Sequence, residues 1–350
     1  SSNGSWTNSY SASASTGAAV AAFELEGHLP QDPLDVYSQS VLGGLEYIFS
    51  TLSTLPISGQ PAGDPDTNGN GRGIYCSYGQ SGNSAYTQGL IMLAIAASRA
   101  PDAVATSGGA GIGGETYATI LTDMADQLAF SQTDPSGGGQ RGGWRYVVNA
   151  ASYGSDNSAV QWGSIGLAAA ECENNLFNVN PPDWVKIPEL DTWLLASQAA
   201  SGCFGYTSSS GCSMATTGSG LFSLFYIGYP DDDPRALAAI NWLDTNWCSQ
   251  FGNFYAMYAI KKALQDYDVP FPRDWYTDYV HHLVKGYTTP CGSNNYHQIT
   301  DSTPPNPQED GRWPSPDGAW LTGTMPTSFA LLILIPSVEC CSIICEFAHP

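Results

Sequence analysis

Gln198-Ala199-Ala200-Ser201-Gly202-Cys203-Phe204 closes one apolar-periodic segment and precedes another. The pattern is a glutamine, a short gap, a glycine, one residue and an aromatic ring. It returns as Gln250-Phe251-Gly252-Asn253-Phe254 and as Gln308-Glu309-Asp310-Gly311-Arg312-Trp313. A looser copy runs from Gln132 through a glycine-rich insertion to Gly142-Gly143-Trp144. Self-similarity of this kind marks a chain built from repeated supersecondary units.

The segments after these rings repeat as well. Asn83-Ser84-Ala85, Gly89 and Leu93 align without gaps on Asn157-Ser158-Ala159, Gly163 and Leu167. Looser copies begin at Met214 and at Thr324. A short oxygen-bearing side chain before an apolar run accepts an orphan backbone N–H and starts a helix. Runs with little polar face belong inside a fold, and their Gly and Ala let neighbouring helices approach. Buried helices are expected near residues 15–27, 82–99, 155–173, 213–228, 252–267 and 324–336. More amphipathic helices are expected between them, near 35–54, 115–132, 183–199, 233–247 and 273–286. In the third of these, Trp184, Ile187, Leu190 and Trp193 to Leu195 recur at the spacing of a one-sided helix. Strands are scarce, with short runs such as Val147-Val148 able to form small loop ribbons. Alternating buried and one-sided helices read as about six helical hairpins in an all-α fold, with the sixth outer helix missing or replaced by the C-terminal tail.

The Gln/Gly/aromatic motif, the Gly143-Trp144-Arg145-Tyr146 segment and the Asp156-Asn157-Ser158 helix start resemble the repeat of squalene cyclases and prenyltransferases. The resemblance covers about residues 70–335 and is strongest over 140–225. It implies an α/α toroid over residues 15–336, flanked by a Ser-rich segment 1–14 and a Cys-rich tail 337–350. It also implies that Gln198, Gln250 and Gln308 tie adjacent hairpins together with their partners Gly202, Phe204, Gly252, Phe254, Gly311 and Trp313. Trp144 would play the same part in the looser copy. The toroid hosts unrelated activities, so the resemblance bears on fold more than on function.

Catalytic strings of the resembled families are absent from the sequence. There is no Asp-x-Asp-Asp acid motif, no Cys-Gly-Glu-Gln thioester string and no matching Asp, Cys and His zinc set. His281 and His282 fall on an expected outer helix. Gly109 to Gly114 matches a dinucleotide pattern in letters, but no strand precedes it. The chain has 350 residues, a net charge of -21 and only 12% charged residues. Such an acidic balance argues against nucleic acid and anionic membranes as partners. No run of eighteen apolar residues exists, so a membrane span is not expected.

Nine cysteines are an odd number, so at least one is free or bonded to another chain. Cys203 and Cys212 flank a Gly/Ser-rich loop and read as a local disulfide, with Cys248 and Cys291 as a second, weaker pair. Oxidised cysteines point to an extracellular or cell-surface setting; scattered buried thiols are the alternative. Asp64-Pro65-Asp66-Thr67-Asn68-Gly69-Asn70-Gly71 resembles the start of a Ca2+ loop, with Asp64, Asp66, Asn68 and Asn70 as ligands. Tyr75 stands where that loop needs its last acid, and an Asx-Gly turn is the competing reading. Asp231 to Asp233, before Pro234, read as the cap of an outer helix.

Two functions remain open on the residues. One is an extracellular, non-catalytic building block that self-associates through its tails and loops into a surface or filament. The other is a secreted carbohydrate-active enzyme, a lyase or glycosidase, or a glycan-binding toroid. The second needs carboxylates in a groove lined with rings. Asp156, Glu171, Asp310 and Asp317 are the available acids, and Trp144, Tyr146, Trp162 and Trp313 the available platforms. Asp156 also stands where an N-cap is expected, and Trp162 where a core ring is expected.

Overall fold

Short polar caps start most of the helices. In the computed structural model, Ser11, Ser84, Thr116, Asp156, Ser213, Asp233, Asn253 and Asp274 each accept a backbone N–H from the first turn of the helix that follows. The structure describes residues 1–7, 11–76, 84–148, 154–172, 176–267, 269–284, 290–291, 312–313 and 323–335. Gln308, Asp310, Gly311, Asp317 and the tail 337–350 lie outside them.

Eleven α-helices are found among the described residues. Six are buried on nearly every side: α1 (Ala12–Leu25), α3 (Ala85–Ala97), α5 (Asn157–Glu171), α7 (Met214–Tyr226), α9 (Phe254–Asp266) and α11 (Met325–Leu334). Between them run α2 (Ser38–Ser50), α4 (Tyr117–Ser131), α6 (Asp191–Ser197), α8 (Pro234–Thr245) and α10 (Trp275–Leu283). Of these, α2 buries one face, turning Val41, Leu45, Ile48 and Phe49 inward, and α8 likewise buries Ala236, Ala239, Ile240 and Leu243. By contrast α4, expected to be one-sided, is buried over most of its length, with 123–129 covered throughout. The chain is mostly helical, and one two-stranded sheet is found among the described residues.

The buried helices touch in a cycle. α1 packs on α3, α3 on α5, α5 on α7, α7 on α9, α9 on α11, and α11 returns to α1. Small residues set the spacing. A Cβ at Gly89 would fall 2.2 Å from the Trp162 carbonyl oxygen, and one at Gly218 would fall 2.9 Å from the Ile260 nitrogen. Buried hydroxyls join neighbours where apolar atoms do not: Ser164 and Ser223 pair at 2.9 Å, and Ser219 donates to the Asn157 carbonyl. The return to the start is held by Ser15 and Thr324, 2.8 Å apart, and by Thr324 N–H donating to Thr7 O at 3.2 Å.

Residues 1–7 lie on this body. Trp6 N–H donates to Thr16 Oγ1 at 3.0 Å, and the Trp6 ring lies 6.1 Å from that of Phe23. The helix begins at Ala12, inside the segment read as an N-terminal tail.

Two other local expectations change. Residues 183–199 do not form one helix: α6 covers only Asp191–Ser197, and Ile187 is extended (φ -123°, ψ 119°) just before Pro188. Proline lacks an N–H and disfavours helical backbone in the residue before it. Ile187 and Leu195 are exposed, while Leu190, Trp193 and Leu194 are buried. The small ribbon also lies elsewhere than at Val147-Val148. Strands β1 (Leu52–Pro56) and β2 (Arg72–Cys76) pair antiparallel, with Leu52 opposite Cys76 and Pro56 opposite Arg72.

Candidate functional site

Two copies of the Gln/Gly/aromatic motif have the same geometry. Gln132 ends α4, and its side-chain amide donates to Gly142 O at 2.8 Å and to Val185 O at 2.9 Å. Gln198 ends α6 and donates to Gly202 O at 3.0 Å and Arg235 O at 2.9 Å. In each copy one amide group bonds the motif's own glycine and the start of the next outer segment. Gly142 (φ 91°) and Gly202 (φ 94°) adopt left-handed backbone, which glycine reaches without a Cβ clash. The ring then packs on a glycine of the next buried helix: Trp144 on Gly163 and Phe204 on Gly220. Both rings are fully buried.

Trp313 shares parts of both copies. Its indole N–H donates to Leu283 O at 2.9 Å, as that of Trp144 donates to Leu128 O at 2.8 Å. Its backbone N–H donates to Thr327 Oγ1 at 3.1 Å, as that of Phe204 donates to Thr217 Oγ1 at 3.2 Å. Gln250 departs from the pattern. Its Oε1 accepts from Ala215 N–H at 3.3 Å, and Phe254 is the first residue of α9. No loop separates ring from helix in that copy, so the ring cannot sit beneath the helix as Trp144 and Phe204 do.

The expected aromatic platforms are mostly core. Trp162 stacks on Tyr258 at 5.7 Å and meets Phe329 at 5.9 Å. These rings come from α5, α9 and α11, so aromatic side chains fill the space between buried helices that are not all neighbours in the cycle. Trp144, Trp162 and Trp313 are all buried; Tyr146 alone of the four platforms is exposed.

A tyrosine cluster forms instead where helix starts converge. The second residues of α3, α5 and α9 are Tyr86, Ser158 and Tyr255. Tyr86 Oη lies 2.5 Å from Ser158 Oγ, and Ser158 donates to Asp156 Oδ1 at 2.5 Å. Tyr255 Oη donates to Ser158 O at 2.6 Å and accepts from Trp162 Nε1 at 3.2 Å. Tyr86 stacks on Tyr146 with centroids 5.9 Å apart and planes 14° apart. Tyr146 and Tyr206 join phenol to phenol at 2.6 Å. Both are part-exposed, Tyr146 by 39% and Tyr206 by 36%, so the cluster reaches solvent through these two rings.

Two loops hold those exposed rings. Asp156 N–H donates to Trp144 O and Asn157 N–H to Tyr206 O, each at 2.9 Å. Asn157 Nδ2 adds a bond to Gly205 O at 2.7 Å. The Cys203–Cys212 disulfide closes the loop that carries Tyr206, and Cys248–Cys291 forms a second bridge. Among the described residues Cys76 is the free cysteine, and it is buried.

Asp156 is fully buried and caps α5 through Oδ1, which accepts from Ala159 N–H at 2.9 Å. Its Oδ2 accepts no hydrogen bond and faces Arg145 Nε at 3.6 Å. Desolvation raises the Asp156 pKa above the ordinary carboxylate range, against the pull of its hydrogen bonds and of Arg145. Burial likewise raises the phenols of Tyr86, Tyr146 and Tyr255, which stay neutral donors. Of the other acids, Glu171 lies away from this cluster, accepting from Tyr226 Oη at 2.5 Å and pairing with Lys186. Arg145 and Ser158 enter the sequence reading only as parts of the repeat, and Tyr86, Tyr206 and Tyr255 are not among its candidate site residues. The usable signal was positional, because Tyr86, Ser158 and Tyr255 are each the second residue of a buried helix, α3, α5 and α9.

The Asp64 to Gly71 string is a ladder of turns. Asp66 accepts from Gly69, Asn70 and Gly71 N–H at 2.7–3.1 Å, and Asp64, Asn68 and Asn70 each accept a backbone N–H two residues on. The side-chain amides of Asn68 and Asn70 donate to Asp123 at 2.7 and 2.9 Å. These bonds have the pattern of the Asx-Gly turn that is the competing reading of the string. Among the described residues no group of three or more His, Cys, Asp or Glu is placed to hold a metal ion. Nor is any helix there long and apolar enough to cross a membrane.

No family model matches this chain, and no curated protein matches it.

Proposed function

We propose that this chain is an extracellular α/α toroid that binds carbohydrate at the tyrosine cluster. The cyclic order of buried-helix packing and the intervening helices support the toroid, as does the resemblance to the squalene cyclase and prenyltransferase repeat. The two disulfides support the extracellular setting.

The observation that carries the binding reading is the Tyr146–Tyr206 pair, backed by Tyr86. An exposed ring with a polar rim suits a sugar, whose C–H face packs on an aromatic and whose hydroxyls seek hydrogen bonds. Tyrosine offers both at low conformational cost. A polar-rimmed patch beside a filled interior directs the ligand to the rim, since Trp162, Tyr258 and Phe329 fill the space beneath. Binding is the role these residues support: Asp156 is buried and holds the cap of α5, while the part-exposed groups of the cluster are the Tyr146 and Tyr206 phenols.

The test is binding of immobilised polysaccharides, neutral and acidic, by the wild type and by Tyr206→Ala. Retention on at least one polysaccharide, weakened by about tenfold or more in the variant, is expected. A chain retained by none of them loses this reading.

Self-association is the second reading, and one observation favours it. Leu34 (91%) and Val36 (83%) are apolar and almost fully exposed in one loop before α2. Leu34→Asp with Val36→Asp should then lower the mass measured by sedimentation. An unchanged mass removes this reading.

A further inference from the structure

Arg145 differs from the other half-buried arginines. Arg72, Arg141, Arg235 and Arg273 each donate to a carboxylate at 2.6–2.9 Å. Arg145 makes no such bond. Its Nε is buried without a hydrogen bond, and the nearest carboxylate oxygen, Asp156 Oδ2, stands 3.6 Å away and is itself unbonded. A guanidinium carries five donors in a fixed fork that matches a carboxylate. Here the buried Nε has no partner at hydrogen-bond distance, and the part-exposed end of the fork is open to a ligand's carboxylate.

The surroundings select the sign of that something. Arg145 lies over the Tyr146 ring, 5.8 Å from its centroid, and its side chain is 35% exposed. Beside it stand the Tyr146 phenol, bonded to that of Tyr206, and the N-terminal end of the fifteen-residue helix α5, where the backbone favours negative charge. The one acid in contact among the described residues, Asp156, spends Oδ1 on Ser158 and on the cap of α5, and its Oδ2 stays 3.6 Å from Arg145 Nε, beyond a hydrogen bond. A neutral sugar would leave the fork unmatched. A sugar carboxylate would accept from it while the ring face rests on Tyr146.

We propose that Arg145 reads a carboxylate on the bound glycan, so that the ligand is an acidic, uronate-containing carbohydrate. The inference rests on the carbohydrate-binding reading above and specifies its ligand class. The chain's net charge of -21 opposes any anion at long range. Near physiological salt that repulsion is screened beyond about 8 Å, and the local cation decides.

Two probes separate the inference from the reading beneath it: a linear hexuronate trisaccharide, and the neutral trisaccharide of the same linkage with hydroxymethyl groups in place of carboxylates. Titration calorimetry at physiological salt measures both. The uronate is expected to bind about tenfold or more tighter, the range for a charge-assisted bond. In Arg145→Met the ratio of the two affinities falls to about one. Arg145→Lys keeps the charge and loses the fork, so its ratio falls between; it also serves if the Met variant does not fold. Equal binding of both probes by the wild type, or a ratio that survives in both variants, overturns the carboxylate assignment and leaves carbohydrate binding standing. Binding of neither probe, with no retention on any polysaccharide, overturns both.

Discussion

Gly220 of α7 lies so close to Phe204 that a Cβ there would fall 2.2 Å from the ring. The same relationship holds one repeat earlier, where a Cβ at Gly163 would fall 2.7 Å from the Trp144 ring. Motif and helix therefore pack as one fitted unit, with the ring filling the space a Cβ would take.

The fit gives a prediction. Gly220→Ala should destabilise the fold by about 1–3 kcal/mol, the usual cost of overpacking, despite alanine's better helix propensity. Phe204→Leu combined with Gly220→Ala should recover part of that loss, because the two side chains compete for one volume. Chemical denaturation measures both. Additive effects in the double variant would show that the ring and the glycine are not coupled.

Glu24 is an acid buried inside α1. Neither of its carboxylate oxygens has a hydrogen bond, and burial raises its pKa well above the ordinary value. A carboxyl whose folded pKa lies above its unfolded one contributes most below the unfolded value and loses that contribution as pH rises. Glu24→Met should therefore stabilise the protein at pH 8 by about 1–3 kcal/mol and by less at pH 4. A variant less stable than wild type at pH 8 would contradict the burial argument.

Asp126 has a narrower window. Burial, helped by the nearby carboxylates of Asp123 and Asp66, pushes its pKa from 3.8 up to about 7, although Thr67 donates to it twice. The sign is the same: stability from this group is complete below about 4 and declines toward pH 7. Asp126→Asn should flatten the pH dependence of the melting temperature across that window. The Ca2+ reading of the neighbouring string makes the opposite demand, since a bound cation would favour ionised carboxylates. Because the string's oxygens are turned onto its own amides, millimolar Ca2+ is expected to leave the melting temperature unchanged; a clear rise would restore the calcium loop.

The Cys203–Cys212 bridge links stability to the candidate site. Its loop carries Tyr206, whose carbonyl accepts from Asn157 and whose phenol meets Tyr146. Replacing both cysteines with serine should cost about 2–3 kcal/mol for a loop this short. It should also weaken glycan retention more than the Cys248–Cys291 replacement does, because that bridge does not close the loop bearing Tyr206. Equal retention in the two variants would detach the loop from binding.

Helix positions were largely legible from sequence because their signals are local. A capping oxygen followed by an apolar run acts within one turn, and it placed α1, α3, α5, α7, α9 and α11 within a few residues. The limits of local reading appear at Pro188, where a long apolar periodicity outweighed a single breaker and the helix was drawn too long. They appear again at Gln250, which shares the letters of Gln198 without its loop and so bonds a different helix.

What sequence alone determined here is the alternation of buried and intervening helices and the Gln/Gly/aromatic punctuation, because both depend on neighbours in the chain. Tertiary structure decided which rings face water. Trp162, expected as a core ring though named among the platforms, is covered by rings of α9 and α11, while Tyr146 stays exposed. The meeting of Tyr86, Ser158 and Tyr255 was likewise settled in three dimensions, since residues 72 and 97 positions apart touch only when separate helices bring their N-terminal ends together.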